Sequence, residues 1–233
     1  MSVSNGDVSH SASPLWSNIH ITPSPSLDKL EVYLTQSQPH LLDIELVLNL
    51  LWLPPNTNHK NVACCLMALM PHTEHPISLS FYFPLLFCLI ATTLHNLSVP
   101  NLMHFAAYGP WFGDNFHVFE APIFTASTPH LSHLECLDVS IQNIQPPLGA
   151  ITHLCLQINM PAMTGKPLSS HCFIKLLGSV PALTNLALEG IIVTKENMDN
   201  FLPIILAHLE SPSITEYDVS YLLGDVMFSS HLP

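Results

Sequence analysis

A chain of 233 residues with 48% hydrophobic content is long enough for one large domain or a short stack of repeats, and apolar enough for a sizeable core. Charged residues make up only 9%, against about 25% in ordinary domains, and the five basic residues are all lysine, for a formal net charge of -12. That balance excludes a nucleic-acid partner, since a polyanion is repelled and no basic patch exists to release its counterions.

Met1 to Ser13 is serine-rich, with neither a basic start nor an apolar run, and reads as a disordered tail ahead of one domain over 14–233. Leu15 to Ile21 alternates like a half-buried strand that Pro23 and Pro25 stop. Ser26 is the expected N-cap of a helix with Leu27, Leu30, Tyr33 and Leu34 on one face. Leu41 to Leu48 is a second expected strand, with Leu42, Ile44 and Leu46 on one side and Asp43 and Glu45 on the other. Two carboxylates invite an acid–base reading. Residues two apart on such a strand, however, simply share its wet face.

A helix is expected from His59 to Met70, with Val62, Leu66 and Leu69 inward. From His75 to Gly113 no Asp, Glu, Lys or Arg occurs, and 77–94 is apolar enough to raise a membrane span. A span needs about 20 residues and basic flanks. Here there is no basic flank, and Pro84 with Ser78, Ser80, Thr92 and Thr93 divides the run into a strand, Ile77 to Phe83, and a buried helix, Leu85 to Thr93.

The second half carries a repeated pattern, P-x-L-x-x-L-x-L, cleanest at Pro181 to Leu188. Its first apolar positions, 102, 131, 151, 183 and 214, are 29, 20, 32 and 31 residues apart. Leucine-rich repeats run about 20–29 residues, each giving one strand that cannot bury its apolar face without a neighbour. The expected fold class is therefore α/β, a leucine-rich-repeat-like solenoid with a parallel sheet and helices on the convex side. Its repeat strands are centred on Phe105, Leu134, Leu154, Leu186 and Tyr217. Two helices fall between them, one opening at Ser169 or Ser170 and ending at Gly178, the other running from Thr194 to Leu209 with Pro203 as a kink.

In the L-x-x-L unit the residue before the second apolar position points away from the core. His104, His133, His153, Asn185 and Glu216 fill that position and form a candidate exposed ladder on the sheet face. Two readings are open for it: solvated surface residues with no assigned task, or crowded imidazoles that resist joint protonation and hold a divalent metal weakly between neighbouring rings. The pairs His72/His75 and His130/His133 have helical metal-ligand spacing, but Pro71, Pro76 and Pro129 place them in loops. No H-E-x-x-H, phosphate loop, G-x-S-x-G or C-x-x-C pattern is present, so no catalytic residue, cofactor site or metal site is assigned and an enzyme is not expected. The six cysteines show no disulfide spacing and read as reduced thiols of a cytoplasmic or nuclear protein.

Several stretches together resemble the region that follows the F-box in F-box-like proteins of mushroom-forming fungi. They are Leu15 to Ile21, the S-L-D-K-L-E-V-Y-L run from Ser26, the L-L-D-I-E-L strand from Leu41, Leu97 to Leu102, and Pro181 to Gly190. The resemblance implies a leucine-rich-repeat-like receptor that holds a substrate protein while an F-box bundle docks the adaptor subunit of a cullin-type ubiquitin ligase. The F-box would precede Trp16, where the residues are too few for it, so binding of the ligase adaptor is not expected. The expected function is a protein-interaction scaffold lacking the F-box, with an unknown protein partner and no nucleic acid or membrane. The alternatives are a non-functional truncated family copy and a membrane-associated protein acting through 77–94.

Overall fold

A computed structural model describes residues 18–21, 27–37, 40–47, 58–82, 92–109, 122–139, 141, 145–158, 168–190, 193–194, 204–215 and 226–228. Eight strands form one open sheet: β1 (Asn18–Ile21), β2 (Leu42–Val47), β3 (Pro76–Tyr82), β4 (His104–Tyr108), β5 (His133–Leu137), β6 (His153–Ile158), β8 (Asn185–Gly190) and β11 (Ser211–Thr215). They stand side by side in chain order, and every neighbouring pair is parallel. Short strands β7 (Leu168–Ser169) and β9 (Val193–Thr194) pair with each other, as do β10 (Ile204–Leu206) and β12 (Val226–Phe228). The architecture is α/β with a parallel sheet.

Parallel neighbours need a connection that returns to the starting edge. Between β1 and β2 this is helix α1 (Leu27–Gln36), between β2 and β3 helix α2 (Asn58–Leu69), and between β6 and β8 helix α3 (Ser170–Gly178). Each turns an apolar stripe inward: Leu30 and Leu34, then Cys65, Leu66 and Leu69, then Phe173, Leu176 and Leu177. These side chains join one buried cluster with two rows from the sheet. The first row runs Ile44, Leu79, Phe105, Leu134, Leu154, Leu186, and the second Leu46, Phe81, Ala107, Cys136, Leu156, Leu188. Because side chains alternate along a strand, helices and turns cover one face and the intervening residues form the other.

A small hydrogen-bonded unit recurs before the strands. The amide of Leu102 bonds the carbonyl of Val99, and the same turn joins Leu131 to Thr128, Ile151 to Leu148, Leu183 to Val180 and Leu209 to Leu206. Next, one carbonyl of the preceding unit accepts two successive amides: Met103 from Ser132 and His133, Ser132 from Thr152 and His153, Thr152 from Thr184 and Asn185, Thr184 from Glu210 and Ser211. The Val180-Pro181-Ala182-Leu183 form shows why proline suits this turn, since it presets the first central φ and its missing N–H is not needed.

The last unit corrects the sequence reading. Pro212 pairs with Leu186 and Ser211 with Asn185, so the first apolar position of this unit is Leu209 and not Ile214. The strand is Ser211–Thr215, and Tyr217, its expected centre, lies outside the described residues. Proline is tolerated here because, among the described residues, β11 is an edge strand with a ladder on one side only. The helix expected from Thr194 to Leu209 is also revised, for Thr194 belongs to β9 and Ile205 and Leu206 to β10.

Helix α3 follows its local chemistry. The Ser169 hydroxyl accepts from the Cys172 amide at 3.2 Å as N-cap. At the other end the cap is Ser179 rather than Gly178, with its amide on Leu176 and Leu177 and its hydroxyl on the Lys175 carbonyl at 2.7 Å. Among the described residues no helix is long and apolar enough to cross a membrane. The expected membrane-type run is β3 at its start, whereas 83–91, including most of the expected helix Leu85 to Thr93, lies outside the described residues.

Candidate functional site

The open face of the sheet is built from three rows. Through registered pairing the first reads Asn18, Asp43, Ser78, His104, His133, His153, Asn185 and Ser211. The structure thus brings four of the five expected ladder residues together, in the expected order. Glu216 lies outside the described residues, and the position beside Asn185 is held by Ser211. All four are half-buried rather than freely exposed.

Neighbouring imidazoles touch. His133 and His153 stack with ring centroids 4.0 Å apart and planes 13° from parallel, while His104 meets His133 edge-on at 6.2 Å. Hydroxyl groups fix the rings at Nδ1: Ser78 on His104 at 3.1 Å, Ser132 on His133 at 2.9 Å and Thr152 on His153 at 2.9 Å. Thr184 continues this arrangement onto Asn185 Oδ1 at 2.8 Å. A hydroxyl both donates and accepts, so it serves either tautomer and the imidazolium. Nε2 is then the ring nitrogen left for a ligand. Burial holds the His133 pKa below its ordinary value, and the fields of His153 and His104 lower it further.

The second row reads His20, Glu45, Ser80, Ala106, Glu135, Cys155, Ala187 and Ser213. It is mostly short side chains, and Ala106 at its centre is fully buried although it belongs to the open face. The third row, Val47, Tyr82, Tyr108, Leu137, Gln157, Glu189 and Thr215, is taller. Tyr82 and Tyr108 stack at 4.1 Å and 8°. Burial raises both phenols, and the carboxylate of Glu135 beside Tyr108 raises that one further, so both rings stay neutral.

A depression runs across the strands along the short side chains of the second row. It measures about 280 Å³, and Glu135, Cys155 and Ala187 lie along it with His104, His133, His153 and Asn185 at one side. Glu135, Cys155 and the two tyrosines are the residues that reading the sequence missed. For Glu135 and Cys155 the signal was available, since a residue two positions beyond a ladder histidine must share its face.

Other candidates resolve simply. His20 Nδ1 bonds Glu45 Oε2 at 3.0 Å on the surface. Asp43 and Glu45 fall in two separate rows. His72 closes a short 3-10 turn with its ring 6.2 Å from that of His75, while His130 lies in a turn and His133 on β5, so neither His pair shares a helix face. Cys64, Cys65, Cys136, Cys155 and Cys172 are free thiols, and among the described residues no group of three or more His, Cys, Asp or Glu is placed to hold a metal.

Comparison of the chain with protein-family models, with curated proteins and with solved structures finds no match.

Proposed function

We propose that the chain is a protein-interaction scaffold of leucine-rich-repeat type, whose binding face is the open face of the parallel sheet. The observation that carries this reading is the recurring unit of turn, doubly accepting carbonyl and strand, which repeats at β5, β6, β8 and β11 within a sheet whose eight parallel strands stand side by side in chain order. Each unit adds a few face residues to three continuous rows, the kind of extended surface that stacked repeats use to hold a partner. The resemblance to the substrate-binding part of F-box ubiquitin-ligase receptors points the same way. On this reading the helices line the convex side, the partner is a protein, and the face works without catalysis, cofactor, nucleic acid or membrane.

Cross-linking of the protein in cells, followed by mass spectrometry of the captured partners, tests this. Cross-links should concentrate on residues beside the three rows, and capture should fall when His133 and Gln157 are replaced by lysine. Partner contacts confined to the helices, with capture unchanged by those substitutions, would overturn the reading.

A further inference from the structure

Resting on the scaffold reading, we infer that the depression across β4, β5, β6 and β8 takes a lysine or arginine side chain from an extended basic segment of the partner protein, with Glu135 as its counter-ion.

Charge comes first. The open face carries Asp43, Glu45, Glu135 and Glu189, whereas the lysines among the described residues sit on the helices: Lys29 on α1, Lys60 on α2 and Lys175 on α3. No arginine exists in the chain. Glu45 has His20 as a partner at 3.0 Å. Glu135 lacks any such ion pair among the described residues, its neighbours being the neutral phenol of Tyr108 and the short side chains of Ala106 and Cys155. A half-buried carboxylate without a cation, set in a depression, gains most from a cation that arrives with its own charge.

Size and shape come next. Pockets for whole small molecules run about 300–1,000 Å³, so a depression of about 280 Å³ suits one long side chain better than a free ligand. The short residues Cys155 and Ala187 leave room for the methylene stem, as long cationic side chains lay their stems on apolar surface. The imidazole row then lies beside the charged head, with Nδ1 of each ring occupied by a hydroxyl and Nε2 left to meet it.

This arrangement makes binding sensitive to acid. The titratable groups that face His133 are His104 from β4, Glu135 on its own strand, and His153 and Cys155 from β6, with Glu189 further along on β8. At neutral pH burial and the neighbouring rings keep the His133 imidazole uncharged. Protonation places positive charge in the same depression and repels the incoming cation.

Fluorescence anisotropy with a labelled Gly/Ser peptide carrying two arginines, and its counterpart with glutamines, tests the inference. At about 150 mM salt, where long-range attraction is screened, the arginine peptide should bind at least about tenfold more tightly. Glu135→Gln should remove about that factor, Glu135→Asp should retain most of it, and Glu31→Gln, an equal charge loss on the exposed face of α1, should change affinity less than about twofold. Lowering the pH from about 7.5 to about 5.5 should weaken binding several-fold. Equal effects of Glu135→Gln and Glu31→Gln would show attraction by net charge alone and overturn the inference. So would an absent arginine preference. If cellular cross-links still map to the open face in that case, the scaffold reading stands without this site; cross-links elsewhere remove both.

Discussion

The imidazoles of His133 and His153 stack face to face, 4.0 Å between centroids, on adjacent strands of a parallel sheet. Parallel pairing in exact register is what permits this, because a one-residue slip would turn one ring toward the core. Burial and the two neighbouring rings oppose a charge on His133, so its pKa lies below the ordinary value. A histidine NMR titration should find the His133 midpoint below about 6.5, and His153→Asn should move it upward by removing one repelling neighbour.

The same shift makes stability depend on pH. With the folded pKa below the unfolded one, the unfolded chain binds more protons in the window between the two values. Stability from this group is therefore complete above the unfolded value near 6.5, and is lost as pH falls through that value toward the folded one. Urea titrations of His133→Gln should show a shallower loss of stability across this window than the parent.

Core and open faces should answer substitution differently. Leu186 is 3% exposed in the first inward row, and Leu186→Asp leaves an unpaired buried charge that should cost about 3–5 kcal/mol. Ser213 belongs to an outward row of edge strand β11, so Ser213→Asp should stay within about 0.5 kcal/mol. Thermal melts of the two variants check the assignment of faces, and similar melting points would show it to be wrong.

Much of this layout was legible from apolar spacing. The L-x-x-L-x-L units around Phe105, Leu134, Leu154 and Leu186 became four adjacent parallel strands, because two inward residues per strand are enough to fix its face. At Pro212 the pattern misled, since proline marks the turn in three units but here sits within the edge strand. The apolar run containing Ile205 and Leu206 has helical spacing, yet Ile204–Leu206 pairs with Val226–Phe228, a long-range contact that local spacing does not encode. Glu135 escaped attention for another reason. A lone glutamate on a strand looks like any wet-face residue until register places Ala106 and Cys155 on either side of it.

Backbone geometry at the end of β8 offers a separate test. Gly190 has φ +82°, and a Cβ there would collide with the Ile158 carbonyl oxygen on the neighbouring strand. Gly190→Ala should cost at least about 1–2 kcal/mol from the left-handed conformation alone, with the clash adding to it. Gly149 has open space around it and no positive φ, so Gly149→Ala should be neutral or stabilise by about 0.4–1 kcal/mol. Denaturant midpoints of the pair should therefore move in opposite directions or by clearly unequal amounts.

Thiol chemistry probes both sides of the sheet at once. Cys136 is 1% exposed in an inward row, and burial raises its pKa far above the ordinary thiol value, so it should label only when the protein unfolds. Cys155 lies beside Glu135 on the open face, where burial raises its pKa first and the carboxylates of Glu135 and Glu189 raise it further. The thiolate is the reactive form, so alkylation of Cys155 near neutral pH should be slower than that of an unhindered thiol. Glu135→Gln removes one of the opposing charges while leaving the burial in place. Iodoacetamide labelling read by peptide mass spectrometry should therefore show faster modification of Cys155 in that variant, with Cys136 still protected. If Cys155 keeps its parental rate while the melting temperature is unchanged, Glu135 is not close enough to act on the depression, and the register of β5 against β6 would need revision.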